Sequence, residues 1–106
     1  MSITIDNTNF EEVVKQSDQP VLVDFWAQGC PPCKAISPLI DQIATEVEGQ
    51  AKVGKLEVNM DTQAIAAEFG IRGVPTLLFF KDGEVKHQIN GANFSKEQLV
   101  STLQEL

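Results

Sequence analysis

Apolar and polar residues along the chain alternate between strand-like runs and helix-like spacings. Two runs, Val21 to Ala27 and Thr76 to Phe80, are almost continuously apolar, which is typical of strands covered on both faces. The short β-branched run Ile3 to Ile5 predicts an edge strand. Ala51 to Val58 alternates imperfectly and predicts a further strand, with Lys55 inside it.

Between these runs, apolar residues recur at helical spacing. Asn7 or Thr8 is expected to cap a first helix, and a second is expected from Ala35 to Val47. Ser95 and Gln98 have the spacing of a capping box, which predicts a last helix. The residues that define the three apolar faces are Phe10, Val13 and Val14, then Ile36, Leu39, Ile40, Ile43 and Val47, and finally Leu99, Val100, Leu103 and Leu106.

A short helix should start at Asp61 or Thr62 and stop at Gly70. The segment Lys81 to Glu84 reads as a hairpin turn, after which Val85 to Ile89 pairs back. The resulting order is β-α-β-α-β-α-β-β-α. Its first half implies right-handed crossovers between parallel strands, and its hairpin adds antiparallel ones. The sequence therefore predicts an α/β fold with a mixed sheet.

Composition narrows the class of protein. The chain has 106 residues, of which 42% are hydrophobic, so we expect one folded domain over residues 1–106. Its formal charge of −7 argues against binding nucleic acid or anionic membranes. The segment Met1 to Asp6 lacks the features of a signal peptide, and no apolar run approaches the ~20 residues of a membrane span. We expect a protein of the reducing cytoplasm.

The candidate chemistry is concentrated in Cys30-Pro31-Pro32-Cys33, which contains both cysteines of the chain. In a reducing compartment such a pair is more often catalytic or metal-binding than structural. At a helix N-terminus Cys30 would be the nucleophile, and Cys33, one turn later, the resolving thiol. The alternatives are an inert pair or half of a metal site. A metal would need a second chain, because the remaining ligand, His87, is distant and expected to be an exposed strand residue.

Asp24 is the one charged residue in an otherwise apolar strand. The residues alone leave two interpretations open, a satisfied structural carboxylate or a proton shuttle. Pro75 also has two interpretations, because a proline can simply begin a strand.

Taken together, these motifs resemble the thioredoxin family along essentially the whole chain. The resemblance implies a thioredoxin fold, whose five-stranded sheet has the order 1-3-2-4-5 and two helices on each face. It also implies a cis Val74–Pro75 bond. The residues that carry it are Asp24-Phe25-Trp26-Ala27, Cys30, Pro32-Cys33-Lys34, Pro38, Lys55, Gly70-Ile71-Arg72-Gly73-Val74-Pro75-Thr76, Phe80, Gly83 and Gly91-Ala92.

The same resemblance assigns roles to residues around the cysteines. It implies that Asp24 is a buried acid that takes the proton of Cys33, and that Lys55, beside it, opposes the rise in its pKa. It further implies a cis-proline that faces the cysteines and an apolar substrate groove. The residues of that groove and its floor are Trp26, Val74, Pro75, Gly91 and Ala92.

Two positions depart from the family pattern Trp-Cys-Gly-Pro-Cys. Gly29 stands in place of the tryptophan, which removes an aromatic wall beside the site. Pro31 stands in place of the glycine, so both residues of the redox turn, Pro31 and Pro32, lack an amide N–H.

We therefore expect a general protein disulfide reductase that acts on client proteins and is recycled by a separate reductase. No bound cofactor and no metal are needed, and a monomer is expected. Two alternatives stay open. One is a partner-binding module with incidental redox activity, and the other is a more oxidising disulfide oxidase or isomerase.

Overall fold

The computed structural model describes all residues from 1 to 106, which form five strands and four helices. The strands are β1 (Ile3–Ile5), β2 (Val21–Trp26), β3 (Lys52–Glu57), β4 (Thr76–Lys81) and β5 (Glu84–Asn90). The helices are α1 (Glu11–Lys15), α2 (Pro31–Glu46), α3 (Gln63–Glu68) and α4 (Lys96–Gln104). The predicted element order is confirmed, with boundaries that differ by a few residues.

The strands form one mixed sheet in the order β1-β3-β2-β4-β5. β3 is parallel to both β1 and β2, whereas β4 is antiparallel to β2 and to β5. The thioredoxin-type sheet order implied by the resemblance is therefore confirmed. Helix α2 covers one face together with α4, and α1 covers the other with α3.

Each face of the sheet carries its own apolar core, because side chains alternate along every strand. Leu22 of β2 points into the core beneath α2 and α4, and its neighbours Val21 and Val23 point into the core beneath α1 and α3. All three are at most 1% exposed. Burial on both faces explains why β2 is almost continuously apolar.

The start of α1 differs from the prediction. Neither Asn7 nor Thr8 caps it. The Asp6 carboxylate instead accepts a hydrogen bond from the Thr8 amide at 2.8 Å, and the Asn9 side chain accepts one from the Asp6 amide at 2.8 Å. These bonds hold residues 7–9 in a turn, so helix geometry begins only after them. The helix is a π-helical turn in which the Gln16 amide donates to the Glu11 carbonyl at 2.9 Å.

The hairpin and the last helix follow their sequence signals. Asp82 and Gly83 form the turn, with φ of 55° and 79°. A bulge between Phe79 and Phe80 interrupts the pairing of β4 with β5. Ser95 caps α4 by accepting a hydrogen bond from the Gln98 amide at 3.1 Å, which is half of the predicted capping box. No helix of the chain is both long enough and apolar enough to cross a membrane.

Candidate active site around the Cys30–Cys33 pair

The two cysteines lie where β2 runs into α2. Cys30 is the N-cap of α2 and has an extended backbone, with φ −111° and ψ 97°, whereas Cys33 belongs to the first helical turn. This change of backbone direction brings their Cα atoms to 5.3 Å, and the two sulfurs form a disulfide. With two residues between them, the cysteines are thus placed close enough to form a disulfide at the N-terminus of α2.

The two sulfurs have different surroundings. Cys30 is half-buried, whereas Cys33 is 3% exposed. Cys30 Sγ accepts a hydrogen bond from the Cys33 amide at 3.2 Å and lies 3.8 Å from the Val74 carbonyl oxygen. Pro31 and Pro32 fill the first two helical positions and offer no backbone N–H. Only Cys30 is therefore open to an incoming disulfide.

Val74 lies beside Cys30, with its carbonyl oxygen 3.8 Å from Cys30 Sγ, and its bond to Pro75 is cis. Pro75 is buried and comes directly before β4. Its carbonyl accepts a hydrogen bond from the Gly91 amide at 2.8 Å, which ties it to the end of β5.

Asp24 lies beneath the disulfide, in the middle of the sheet. It is 1% exposed, and its Oδ1 atom has no hydrogen-bond partner. Burial raises the pKa of this carboxyl to about 7, and the positive charge of Lys55 offsets part of the rise. A carboxyl with such a pKa can both accept and release a proton near neutral pH.

Lys55 is next to Asp24 in the β2–β3 register, but its ion pair is with a different carboxylate. Lys55 Nζ lies 3.0 Å from Asp41 Oδ1 and donates to Ser37 Oγ at 2.6 Å. Ser2 Oγ in turn donates to Asp41 at 2.6 Å. The Ser2 hydroxyl and, less strongly, Lys55 hold the pKa of Asp41 below its usual value, although burial works against them.

Sequence reasoning did not find Ser37, Asp41 or Ser2. The sequence does contain one indication of Ser37 and Asp41. Ser37 and Asp41 are four residues apart on α2, beside its apolar face, and a lysine in a covered strand needs a nearby counterion.

The residues expected to share one groove line two separate cavities instead. One, of about 610 Å³, has Trp26, Gly29 and Asp24 in its wall together with both cysteines. The other, of about 550 Å³, is lined by residues from the Val74–Pro75 corner and β5; they are Gly70, Arg72, Gly73, Val74, Pro75, Thr76, Gln88, Asn90 and Gly91. Ala92 is exposed and lines neither.

The cavity beside Val74 is also more polar than predicted, because Arg72, Gln88 and Asn90 supply much of its wall. On the opposite side, Gly29 adopts φ of +72°, and a Cβ built there would meet nothing within 4 Å. That side of the disulfide is open where the family tryptophan would stand. His87 is exposed on β5 and packs on Phe79, with ring centroids 5.5 Å apart.

A model of the thioredoxin family, described as "Thioredoxin", matches residues 1–105. The chain is 43% identical over 101 residues to the thioredoxin of Pseudomonas aeruginosa, which covers 95% of this chain and 92% of the relative. Its identity to the thioredoxin of Haemophilus influenzae is 45%, with the same two coverages. To the thioredoxin of Porphyra purpurea it is 46%, over 97% of this chain and 95% of the relative.

Proposed function

The chain belongs to the thioredoxin family, and from that premise we propose that it is a general protein disulfide reductase working through Cys30 and Cys33. The observation that carries the proposal is the asymmetric pair at the N-terminus of α2. One sulfur is half-exposed and accepts a backbone amide, and the other is buried directly behind it. Helix N-termini stabilise a thiolate, which is the attacking form of cysteine.

The reaction has two exchange steps. In the reduced protein the Cys30 thiolate attacks one sulfur of a client disulfide, forms a mixed disulfide and releases the first client thiolate. The Cys33 thiolate then attacks the Cys30 sulfur and releases the second client thiolate. The client gains two electrons, and the protein ends with the Cys30–Cys33 bond that the structure contains.

In this cycle we propose that Asp24 is the base that accepts the proton of the Cys33 thiol before Cys33 attacks. The support is its buried carboxyl, which shares a cavity with both cysteines and has a pKa near neutrality. Asp24→Ala should slow resolution of the mixed disulfide by roughly 10²- to 10⁴-fold, the usual contribution of a general base, and leave attack by Cys30 nearly intact. Single-turnover kinetics with a chromogenic client separates the two steps. Unchanged resolution would refute the role.

The remaining assignments follow from the same chemistry. No bound cofactor is needed, because the dithiol itself stores the two electrons. A separate reductase must return them, and the cytoplasm supplies the reducing conditions that this requires. We propose a monomer, because the large exposed apolar side chains, Met1, Met60 and Val85, are distant in the chain and form no extended run. The Cys-Pro-Pro-Cys turn makes it a variant of the family site.

Insulin-type disulfide reduction, driven by a small dithiol, tests the function directly. We expect turnover that Cys30→Ser abolishes, and no turnover by wild type would contradict it. Titration of the Cys30–Cys33 couple in glutathione buffers then separates a reductase from an oxidase or isomerase, which would have a less negative potential.

Cys33→Ser distinguishes the reductase from a partner-binding module. Without the resolving thiol, the mixed disulfide on Cys30 should accumulate and trap clients covalently. A binding module would instead keep its partner in Cys30→Ser and release it under denaturing, non-reducing conditions.

A further inference from the structure

Lys55 has two carboxylates near its strand and is bonded to only one of them. Asp24 is its neighbour across the β2–β3 ladder, yet its ammonium contacts Asp41 and Ser37 of α2. Asp24 Oδ1 is left buried without any partner. A buried carboxylate beside a lysine ordinarily forms an ion pair with it. Here two side chains of α2 bind the Lys55 ammonium instead.

We propose that Asp41 and Ser37 are positioning residues that hold the Lys55 ammonium away from Asp24, so that Asp24 stays basic enough to accept a proton from Cys33. The inference rests on the proposed role of Asp24 and deepens it. It assigns a task to two side chains of α2 that bond to Lys55 rather than to Asp24.

The competition between the two carboxylates favours Asp41. Its side chain is 47% exposed, so ionisation there needs little desolvation, and the Ser2 hydroxyl stabilises the negative charge. It therefore remains an anion that attracts Lys55. The Ser37 hydroxyl adds a second acceptor for the ammonium, at 2.6 Å on the same helix. Both contacts favour the conformation of Lys55 in which its ammonium forms no ion pair with Asp24.

Few charged groups face Asp24. Lys55 approaches from β3, and the cavity beside Asp24 has Cys33 and Lys34 in the wall supplied by α2. The neighbouring residue on β4 is Leu77. In the oxidised protein Cys33 has no proton to lose, and Lys34 is exposed to solvent screening. The position of Lys55 is then the main electrostatic variable at Asp24.

The test is an NMR titration of the Asp24 side-chain carboxyl carbon in the oxidised protein. Asp41→Asn should let Lys55 turn to Asp24 and lower the pKa of Asp24 by about one pH unit. That is the effect of closing a charge pair from about 6 to about 4 Å at an effective dielectric constant of about 20. Ser37→Ala should lower it less. This second variant keeps the ion pair and serves if Asp41→Asn does not fold.

Glu46→Gln is the matched control. Glu46 is also on α2, its side chain is also 47% exposed, and its ion pair with Lys96 is also 3.0 Å long. It removes an equal charge from the same helix without freeing Lys55, so the pKa of Asp24 should not change. An equal shift in this control would overturn the proposal.

A Lys55→Met background separates positioning from direct repulsion between Asp41 and Asp24. If Asp41 acts through Lys55, adding Asp41→Asn to Lys55→Met should leave the pKa of Asp24 unchanged. A shift of the same size in both backgrounds overturns the proposal, as does an unchanged pKa in both Asp41→Asn and Ser37→Ala.

The pH profile of mixed-disulfide resolution gives the second readout. In Asp41→Asn it should move to lower pH together with the titration of Asp24. If the carboxyl titration moves and the kinetic profile does not, Asp41 positions Lys55 as proposed, but Asp24 is not the acceptor of the Cys33 proton. Failure of the inference and failure of the proposed function are thus distinguishable.

Discussion

At the scale of single residues, Pro31 has the most direct effect on the reacting sulfur. It occupies the first position of α2, where glycine would place an N–H near Cys30. In the structure Cys30 Sγ accepts a hydrogen bond from one backbone amide, that of Cys33, at 3.2 Å. The turn is therefore built with one potential donor fewer than the family pattern.

Pro31→Gly should lower the pKa of the Cys30 thiol, because a new amide can stabilise its thiolate. It should also decrease the free energy of unfolding by about 0.4–1 kcal/mol, because glycine gives the unfolded chain more freedom. Thiolate ultraviolet absorbance during a pH titration of the reduced proteins measures the first effect, and urea unfolding measures the second. A wild-type thiol as acidic as the variant's, or more so, contradicts the argument about donors.

Three residues of the candidate site were visible in the sequence because they stand out in their segments. Asp24 is a charge in an apolar strand, and Cys30 and Cys33 are the only thiols. Lys55 stands in a strand with two other charged residues, Lys52 and Glu57, and it was singled out by the family resemblance. The residues that hold Lys55 are ordinary polar residues of a helix surface. Only the packing of α2 over β3, which brings Asp41 to 3.0 Å from Lys55, gives them a role. A local pattern does not contain that information.

At the scale of elements, Gly54 sets how closely β1 can approach β3. It pairs with Ile3 in the parallel ladder between these strands. A Cβ at this position would overlap Ile5 Cδ1, and it would lie 2.8 Å from Ile5 Cγ1 and 3.0 Å from the Ile3 carbonyl oxygen. The close fit of the edge strand depends on the missing side chain.

Gly54→Ala should decrease the free energy of unfolding by about 1–3 kcal/mol, because β1 must shift or Ile5 must leave its rotamer. Gly73→Ala is the control, since a Cβ there meets nothing within 4 Å. Its effect should stay within about 0.5 kcal/mol. Chemical denaturation of both variants decides the matter. Equal stability losses would mean that the loss reflects glycine replacement in general rather than the contact with Ile5.

The elements themselves were largely predictable, since β2 is an almost continuous apolar run and α2 has apolar residues at helical spacing. Two features were not. The strand order 1-3-2-4-5 came from the family resemblance, because apolar patterns show that strands are buried but not which strands are neighbours. The late start of α1 depends on the Asp6 carboxylate, which captures the Thr8 amide. Several residues near that point could equally have served as caps.

At the scale of the whole molecule, the Asp24 carboxyl makes folding stability depend on pH. Its folded pKa of about 7 lies above the value of 3.8 for an unburied carboxyl. The folded state therefore binds a proton that the unfolded state has already lost over this interval. The resulting stabilisation is complete at pH values below 3.8 and is lost as pH rises through about 7.

Wild type should therefore lose on the order of 4 kcal/mol of unfolding free energy between about pH 4 and about pH 8, relative to Asp24→Asn, which cannot ionise. Urea unfolding of the two oxidised proteins across this range measures the difference, and oxidation removes any contribution from the thiols. Parallel curves for the two proteins would mean that Asp24 does not titrate differently in the folded state.

The unequal exposure of the two sulfurs has a kinetic consequence. Since Cys33 is 3% exposed, every exchange with another protein must pass through Cys30. A client and the recycling reductase must therefore dock on the same few atoms, one after the other and in opposite redox states. Turnover should follow ping-pong kinetics. An excess of client whose oxidation state prevents reaction should slow recycling, because it occupies the surface around Cys30 that the reductase also needs. Because both reactions use one half-exposed sulfur, the protein should carry electrons between its two partners in turn and should not bind both at once.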